Sequence, residues 1–336
     1  MAKTILVTGA AGFIGSHTAA ALLARGDTVI GLDNLNDYYD PARKRANVAE
    51  VRSLRDRTKA AGVFTFVEGD IRDRALVATL FAAHRFETVV HLAAMAGVRA
   101  SIEDPQLYLD VNLTGTLNLL DAVVGRLGNE SAPASQMANV VFASTSSVYG
   151  ATKHIPFVET DLCDRPLAPY PASKRAAEHL GFTYHHLYRV DFTGLRFFTV
   201  YGPRGRPDMM AYKVLDNIFY GREVPLYNNG QMHRDWTYVD DIVGGIVAAA
   251  DRRLGYELIN LGRGAPVLLA DFVQMIEKLA GRSAHLVPAP MMDADIAYTY
   301  ADVSKARRLL GYDPKVSVQE GVTHFWQWYQ RTVLNA

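Results

Sequence analysis

Short apolar runs rich in β-branched residues recur at 4–8, 28–32, 63–67, 88–92, 139–143 and 192–198. They are continuous and do not alternate, the pattern of strands covered on both faces. Between them, apolar positions recur every three or four residues over 13–25, 73–84 and 105–127, and again in a helix opening at Tyr170. Strand–helix alternation of this kind predicts an α/β fold, a doubly wound parallel sheet of the Rossmann type. After Pro203 the pattern loosens into helices near 211–220, 240–250 and 270–280 and an aromatic-rich one near 318–329, with short strands between. This predicts a smaller mixed α/β C-terminal substrate lobe covering the sheet. The division falls at 1–200 and 201–336, with later segments returning to the first part. Trp326, Trp328 and Tyr329 have helical spacing and read as core. The stretch 128–138, rich in Gly, Asn, Ser and Ala, reads as a surface loop.

Ligands of doubly wound sheets sit beyond the carboxyl ends of the strands, and there the sequence is unusual. The first strand runs into Gly9, Gly12 and Gly15, and a helix opens at Phe13 and Ile14. Small residues let backbone approach a pyrophosphate, and the helix start offers N–H groups and a positive dipole. Tight turns need glycine anyway, so the glycines gain weight from Asp33, which ends the second strand 21 residues after Gly12. Its carboxylate can accept both hydroxyls of an adenosine ribose. Asn34 and Leu35 follow, with no arginine to receive a 2′-phosphate, so the cofactor predicted is NAD, not NADP. Asp70 and Ile71 end the third strand where they could bracket the adenine. Leu92, Ala93 and Ala94 after the fourth offer side chains that let a cofactor pass.

The totals narrow the classes. Lys+Arg and Asp+Glu balance at 35 each over 336 residues, which leaves no electrostatic footprint for nucleic acid or a membrane surface. Cys163 is the only cysteine, so no intrachain disulfide can form. The histidines show no metal-ligand spacing, so no metal is expected. The apolar N-terminus is interrupted by glycines and His17, unlike a signal peptide, and no run nears the ~20 apolar residues that span a bilayer. A cytoplasmic protein is the expectation.

Tyr170 and Lys174 stand one helical turn apart, on one face. An ammonium ~5 Å from the phenol would favour phenolate by roughly 3 kcal/mol at an effective dielectric of ~20. An isolated Tyr-x-x-x-Lys is more often an ordinary helix start; here it follows a glycine-rich βαβ unit and a strand ending in Ser144, Thr145, Ser146 and Ser147.

Together these features resemble the extended short-chain dehydrogenase/reductases over nearly the whole chain, and within them the UDP-glucuronate 4-epimerases. The residues that carry the resemblance are DNLNDYYD at 33–40, HLAAMAGVR at 91–99, STSSVYG at 144–150 and FFTVYGPRGRPDM at 197–209. RDWTYVDD at 234–241 and YADVSK at 300–305 extend it into the C-terminal lobe. The resemblance implies that Tyr170 is the acid and base, that Lys174 lowers its pKa and holds the nicotinamide ribose, and that Thr145 bonds the sugar 4-oxygen. It implies that Ser146, Ser147 and Thr199 flank the sugar and that Arg234 and Asp295 hold the uridine diphosphate. Arg206 is assigned to the uronate carboxylate, which a guanidinium fork can grip bidentately. A UDP-sugar substrate is implied, and so is a homodimer pairing the helices that start near Pro105 and Tyr170.

Dehydratases of this group carry an acidic pair beside the triad hydroxyl, and decarboxylases a glutamate where Ser147 stands. UDP-galactose epimerases have an asparagine at the position of Thr199 and an arginine near Met292. The expected reaction is therefore NAD-dependent 4-epimerisation of UDP-glucuronate to UDP-galacturonate through a 4-keto sugar. UDP-glucuronate decarboxylase, UDP-glucose 4-epimerase and a non-catalytic NAD-sensing protein are the rivals.

Overall fold

The computed structural model describes residues 2–58, 62–127 and 138–334. The first strands are β1 (Thr4–Thr8), β2 (Thr28–Asp33), β3 (Val63–Glu68), β4 (Thr88–His91), β5 (Asn139–Thr145) and β6 (Phe192–Phe197). A seventh, Tyr256–Leu261, joins them from far along the chain, and the order across the sheet is Tyr256–Leu261, β6, β5, β4, β1, β2, β3. All neighbours are parallel. Successive residues face opposite layers: Ile5 and Val7 of β1 join one apolar cluster while Leu6 joins the other, and in β5 Val141 and Val140 divide the same way.

The helix α1 (Phe13–Arg25) follows the glycine turn and stops at Gly26, whose φ of 102° suits the left-handed stop of a helix. A second helix, α2 (Pro41–Thr58), is additional to the elements read from the pattern. It shows no stripe because only a few positions, Val48 and Val51 among them, are buried beneath a charged surface. A third, α3 (Arg74–Ala83), is capped by Asp73, which accepts from the backbone N–H groups of Ala75 and Leu76.

The single helix expected over 105–127 is interrupted. It runs as Pro105–Leu109, a π turn at Asp110–Thr114 and Gly115–Val123. One extra residue per turn turns Asn112 inward, where its amide bonds both Met95 N and Met95 O at 2.9 Å and donates to Ser173 Oγ at 3.0 Å. The loop expected at 128–138 lies, except for Ala138, outside the described residues. Beyond the sheet, residues after 200 form helices Met210–Phe219, Leu269–Ala280 and Val318–Tyr329 with two-stranded ribbons between. Trp326 and Tyr329 are buried, and Trp328 packs on the same cluster, which is continuous with the α1 side of the sheet. Among the described residues no helix is long and apolar enough to cross a membrane.

Candidate active site

The strand order reverses between β4 and β2 on either side of β1, so the loops after β1 and β4 part there and open a crevice. The backbone is unusually close at its base. A Cβ on Gly9 (φ 71°) would lie 2.7 Å from Ala93 N, and one on Gly15 would lie 1.9 Å from Gly9 O. Neither position can carry a side chain. Gly12 caps α1 without a side-chain hydrogen bond, and no acidic residue stands in the first turn, so the helix start faces the crevice with bare N–H groups.

One cleft is lined by Gly9, Gly12, Phe13, Ile14, Gly15, Asp33, Asn34, Asp70, Ile71, Leu92, Ala93, Ala94, Thr145, Ser146, Ser147, Tyr170, Lys174, Thr199 and Arg206. Asp33, at its far end, is buried, and its oxygens accept from Ala11 N (3.1 Å) and Leu35 N (2.9 Å). Burial raises its pKa against those N–H groups and the nearby Lys44. Burial would raise Asp70 too, but the fork of Arg72, its backbone N–H and the Asn34 amide overcome that and hold it at about 2.

At the other end stands Tyr170. Its helix, Pro169–Tyr188, is fixed by Ser173, whose hydroxyl donates to Tyr170 O at 2.8 Å and accepts from Asn112. Thr145 closes β5 and caps the short 3-10 turn Ser146–Tyr149 by accepting from Ser147 N at 3.1 Å. Its hydroxyl donates to Ser147 Oγ at 3.2 Å and lies near enough to the Tyr170 phenol to favour the phenolate. Burial pushes that phenol's pKa up, opposed by the Thr145 hydroxyl and by the cation of Arg206. Lys174, expected to lower the phenol's pKa, lines the same cleft one helical turn on. Lys174 is buried, its ammonium lies 4.6 Å from the centre of the Phe142 ring, and desolvation brings its own pKa down to about 7 against the pull of Glu178. Arg206 is a cation that bears on the phenol.

Arg206 differs from expectation. Its Nε and Nη2 already form a side-on pair with Asp208 at 3.0 and 2.6 Å, and Nη2 donates again to Ala96 O at 2.8 Å. The bidentate face foreseen for a substrate carboxylate is therefore taken. The cause is local: Arg206 O accepts from Met209 N, and Pro207 fixes the turn that folds Asp208 back on the arginine. Arg234 and Asp295 do not line the cleft. Arg234 is held by the carbonyls of His233 and Ala297, and burial brings its pKa to about 10. Asp295 accepts from Arg99 Nη2 at 2.8 Å, and the Arg99 guanidinium lies 4.0 Å from the Tyr227 ring centre. These residues form a second polar cluster between the loop after β4 and the C-terminal lobe, felt by Arg234 through the charges of Asp295 and Arg99.

Several cleft residues had no role assigned from sequence. Asn36, Tyr38, Tyr39 and Lys44 line the wall. The block at 33–40 was the signal, but its later residues gave no clue to which way they turn. Behind Lys174, Glu178 is wholly buried and bonds Ser144 Oγ (2.6 Å), Arg196 (3.0 Å) and Arg175 (2.8 Å).

Residues 5–262 match the model of a family described as the NAD dependent epimerase/dehydratase family. The chain belongs to this family. It is 42% identical over 344 residues to UDP-glucuronate 4-epimerase 4 of Arabidopsis thaliana, covering 97% of this chain and 75% of that protein. It is 40% identical over 329 residues to a UDP-glucuronate 4-epimerase of Thermodesulfobacterium geofontis, covering 98% and 96%. It superposes with a TM-score of 0.86 and 34% identity on the UDP-glucuronic acid 4-epimerase of Bacillus cereus, solved in complex with UDP-glucuronic acid and NAD, covering 98% and 99%. The epimerase/dehydratase family depends on NAD, and the cleft suits a dinucleotide. The glycine cradle at Gly9 and Gly15 admits only bare backbone, and an acid at each of two strand ends stands ready for sugar hydroxyls or amines.

Proposed function

We propose that this member of the family is a UDP-glucuronate 4-epimerase that forms UDP-galacturonate with a resident NAD. The observation that carries the chemistry is the meeting of Tyr170, Thr145, Lys174 and Arg206 at one end of a cleft whose other end is the glycine cradle. The backbone of Gly9, Gly12, Phe13, Ile14 and Gly15 would hold the pyrophosphate, and Asp33 the adenosine ribose. Asn34, Asp70 and Ile71 would border the adenine, and Leu92, Ala93 and Ala94 would wall the middle of the cofactor. Bound NAD supplies a reversible hydride acceptor for sugar C4.

Tyr170 takes the proton of the 4-hydroxyl and later returns one to the 4-oxygen on the opposite face. Thr145, whose hydroxyl favours the phenolate, steadies that oxygen. Lys174, with a pKa near 7, is poised to be charged or neutral under working conditions and would hold the nicotinamide ribose. Between the two proton transfers the 4-keto sugar turns about its diphosphate linkage. Ser146, Ser147 and Thr199 flank it, and Arg206 meets its C6 carboxylate through the donors that Asp208 leaves free. Arg234 and Asp295 hold the uridine diphosphate from the C-terminal lobe. No aspartate or glutamate stands at Ser146 or Ser147 beside Thr145, which supports epimerisation over elimination or decarboxylation.

We propose a homodimer as well. The apolar residues Ile102, Leu109, Phe182 and Leu187 are at least 40% exposed on or beside the helices expected to pair.

The test is incubation of purified protein with UDP-glucuronate and no added NADH. UDP-galacturonate is the expected product. A UDP-pentose with carbon dioxide would assign a decarboxylase, and turnover of UDP-glucose in preference would assign a neutral-sugar epimerase.

A further inference from the structure

Arg206 has five N–H donors. Three are spent inside the protein: Nε and one Nη2 hydrogen on Asp208, the other Nη2 hydrogen on Ala96 O. Its guanidinium carbon lies 5.2 Å from the centre of the Tyr38 ring, and the Tyr38 hydroxyl donates to Asp208 Oδ2 at 3.2 Å. Arg206 and Tyr38 line the cleft, and Asp208, whose side chain is about a third exposed, pairs with Arg206 beside it. The group at sugar C6 thus meets a guanidinium with a fixed plane, one free edge at Nη1, and a charge already faced by a carboxylate.

We propose that Asp208 is a specificity-determining positioning residue that fixes Arg206 and weakens its grip on the sugar carboxylate. The proposal rests on the reading of Arg206 as the contact for C6. Its physical basis is a conflict in the reaction. A desolvated, unshared guanidinium holds a carboxylate strongly through charge-assisted bonds. The 4-keto sugar has to turn over between loss and return of hydride, so its C6 group must leave Arg206 and come back. Asp208 places a second carboxylate on the same cation. The uronate then binds against that negative charge, and release of C6 is easier. The neutral hydroxymethyl of UDP-glucose does not feel this competition.

The experiment compares wild type, Asp208→Asn, Asp208→Glu and Arg206→Ala, each loaded with NAD. Calorimetry gives Kd for UDP-glucuronate and UDP-glucose, and product assays give kcat. Asp208→Asn keeps the shape and removes the charge. It should bind UDP-glucuronate about tenfold more tightly and change UDP-glucose by less than about twofold, as expected for removing a like charge a few ångströms away. Its kcat on UDP-glucuronate should fall several-fold, giving tighter binding with slower turnover. Asp208→Glu, which retains a carboxylate, should restore the wild-type ratio of the two Kd values. Affinities that weaken or shift together for both sugars would mean that Asp208 only supports the fold, and the proposal fails. Arg206→Ala separates the premises. If it leaves the preference between the sugars unchanged, the reading of Arg206 at C6 is wrong. If it abolishes the preference while Asp208→Asn shows no tightening, only the role of Asp208 is wrong.

Discussion

At the scale of single residues, proton chemistry is concentrated on Tyr170, where burial raises the phenol's pKa and the Thr145 hydroxyl and Arg206 cation favour the phenolate. Tyr170→Phe should keep the fold and bind NAD and UDP-glucuronate, yet lose turnover by at least about a hundredfold, because the proton relay is gone. Near-normal activity in a coupled assay would remove Tyr170 from the mechanism. A second residue sets an acid limit on stability. His91 is buried with Nδ1 2.7 Å from Thr8 Oγ1 and Nε2 3.0 Å from Thr116 Oγ1. Thr116 donates to Asn112 O and Thr8 accepts from Ala93 N, so His91 is neutral with its proton on Nε2. Burial, with the Lys174 charge, drops its pKa to about 3. The unfolded chain takes up the proton near ~6.5 and the folded one does not, so stability falls as pH drops through that window. Between about pH 7 and about pH 5, wild type should lose about 2 kcal/mol more than His91→Gln in denaturant titrations. Equal losses would show that His91 is not the group responsible. None of this was legible from the chain, because a histidine ending an apolar strand does not reveal which hydroxyls will flank it.

At the scale of elements, the strands were legible and their partners less so. A run such as Ile5–Leu6–Val7 is buried whichever layer each side chain enters, so its pattern survives in the sequence. Helix α2 did not announce itself, since its apolar positions are few and charged residues crowd PARKRANVAEVRSLRDRT. The π turn at Asp110–Thr114 was hidden for another reason: one inserted residue does not erase a helical period on either side of it. That turn matters because Asn112 ties the loop after β4 to the Tyr170 helix. Asn112→Ala leaves buried backbone groups of Met95 unpaired and frees Ser173. Unfolding free energy should drop by about 2 kcal/mol or more, with a loss of kcat exceeding any change in Kd for NAD. A variant as stable and active as wild type would show that the π turn is incidental.

At the scale of the whole molecule, the glycine cradle and Asp33 could be placed from sequence because each lies at a recognisable strand end, and Tyr170 because it opens a helix with Lys174 one turn on. The ion-pair partners of Arg206 and Asp295 could not be read, because they come from a local turn and from Arg99 on a distant loop. Assembly is open to a direct check: light scattering at micromolar concentration should give the mass of two chains, and a single-chain mass would leave the exposed Ile102, Leu109, Phe182 and Leu187 without the proposed partner. The apolar cluster that joins α1 to Trp236, Phe272 and Phe325 has a further consequence. The strand Tyr256–Leu261 completes the sheet edge after the chain has already left for the C-terminal lobe. A fragment ending near residue 200 would therefore lack a strand and expose a broad oily face, and it should be insoluble when expressed. In a calorimeter the intact chain should melt in one transition, with substrate-binding and cofactor-binding parts giving way together. Heat, proteases and evolution by module exchange all meet a single cooperative unit, which can be tuned by point changes along the cleft but not rebuilt by swapping halves.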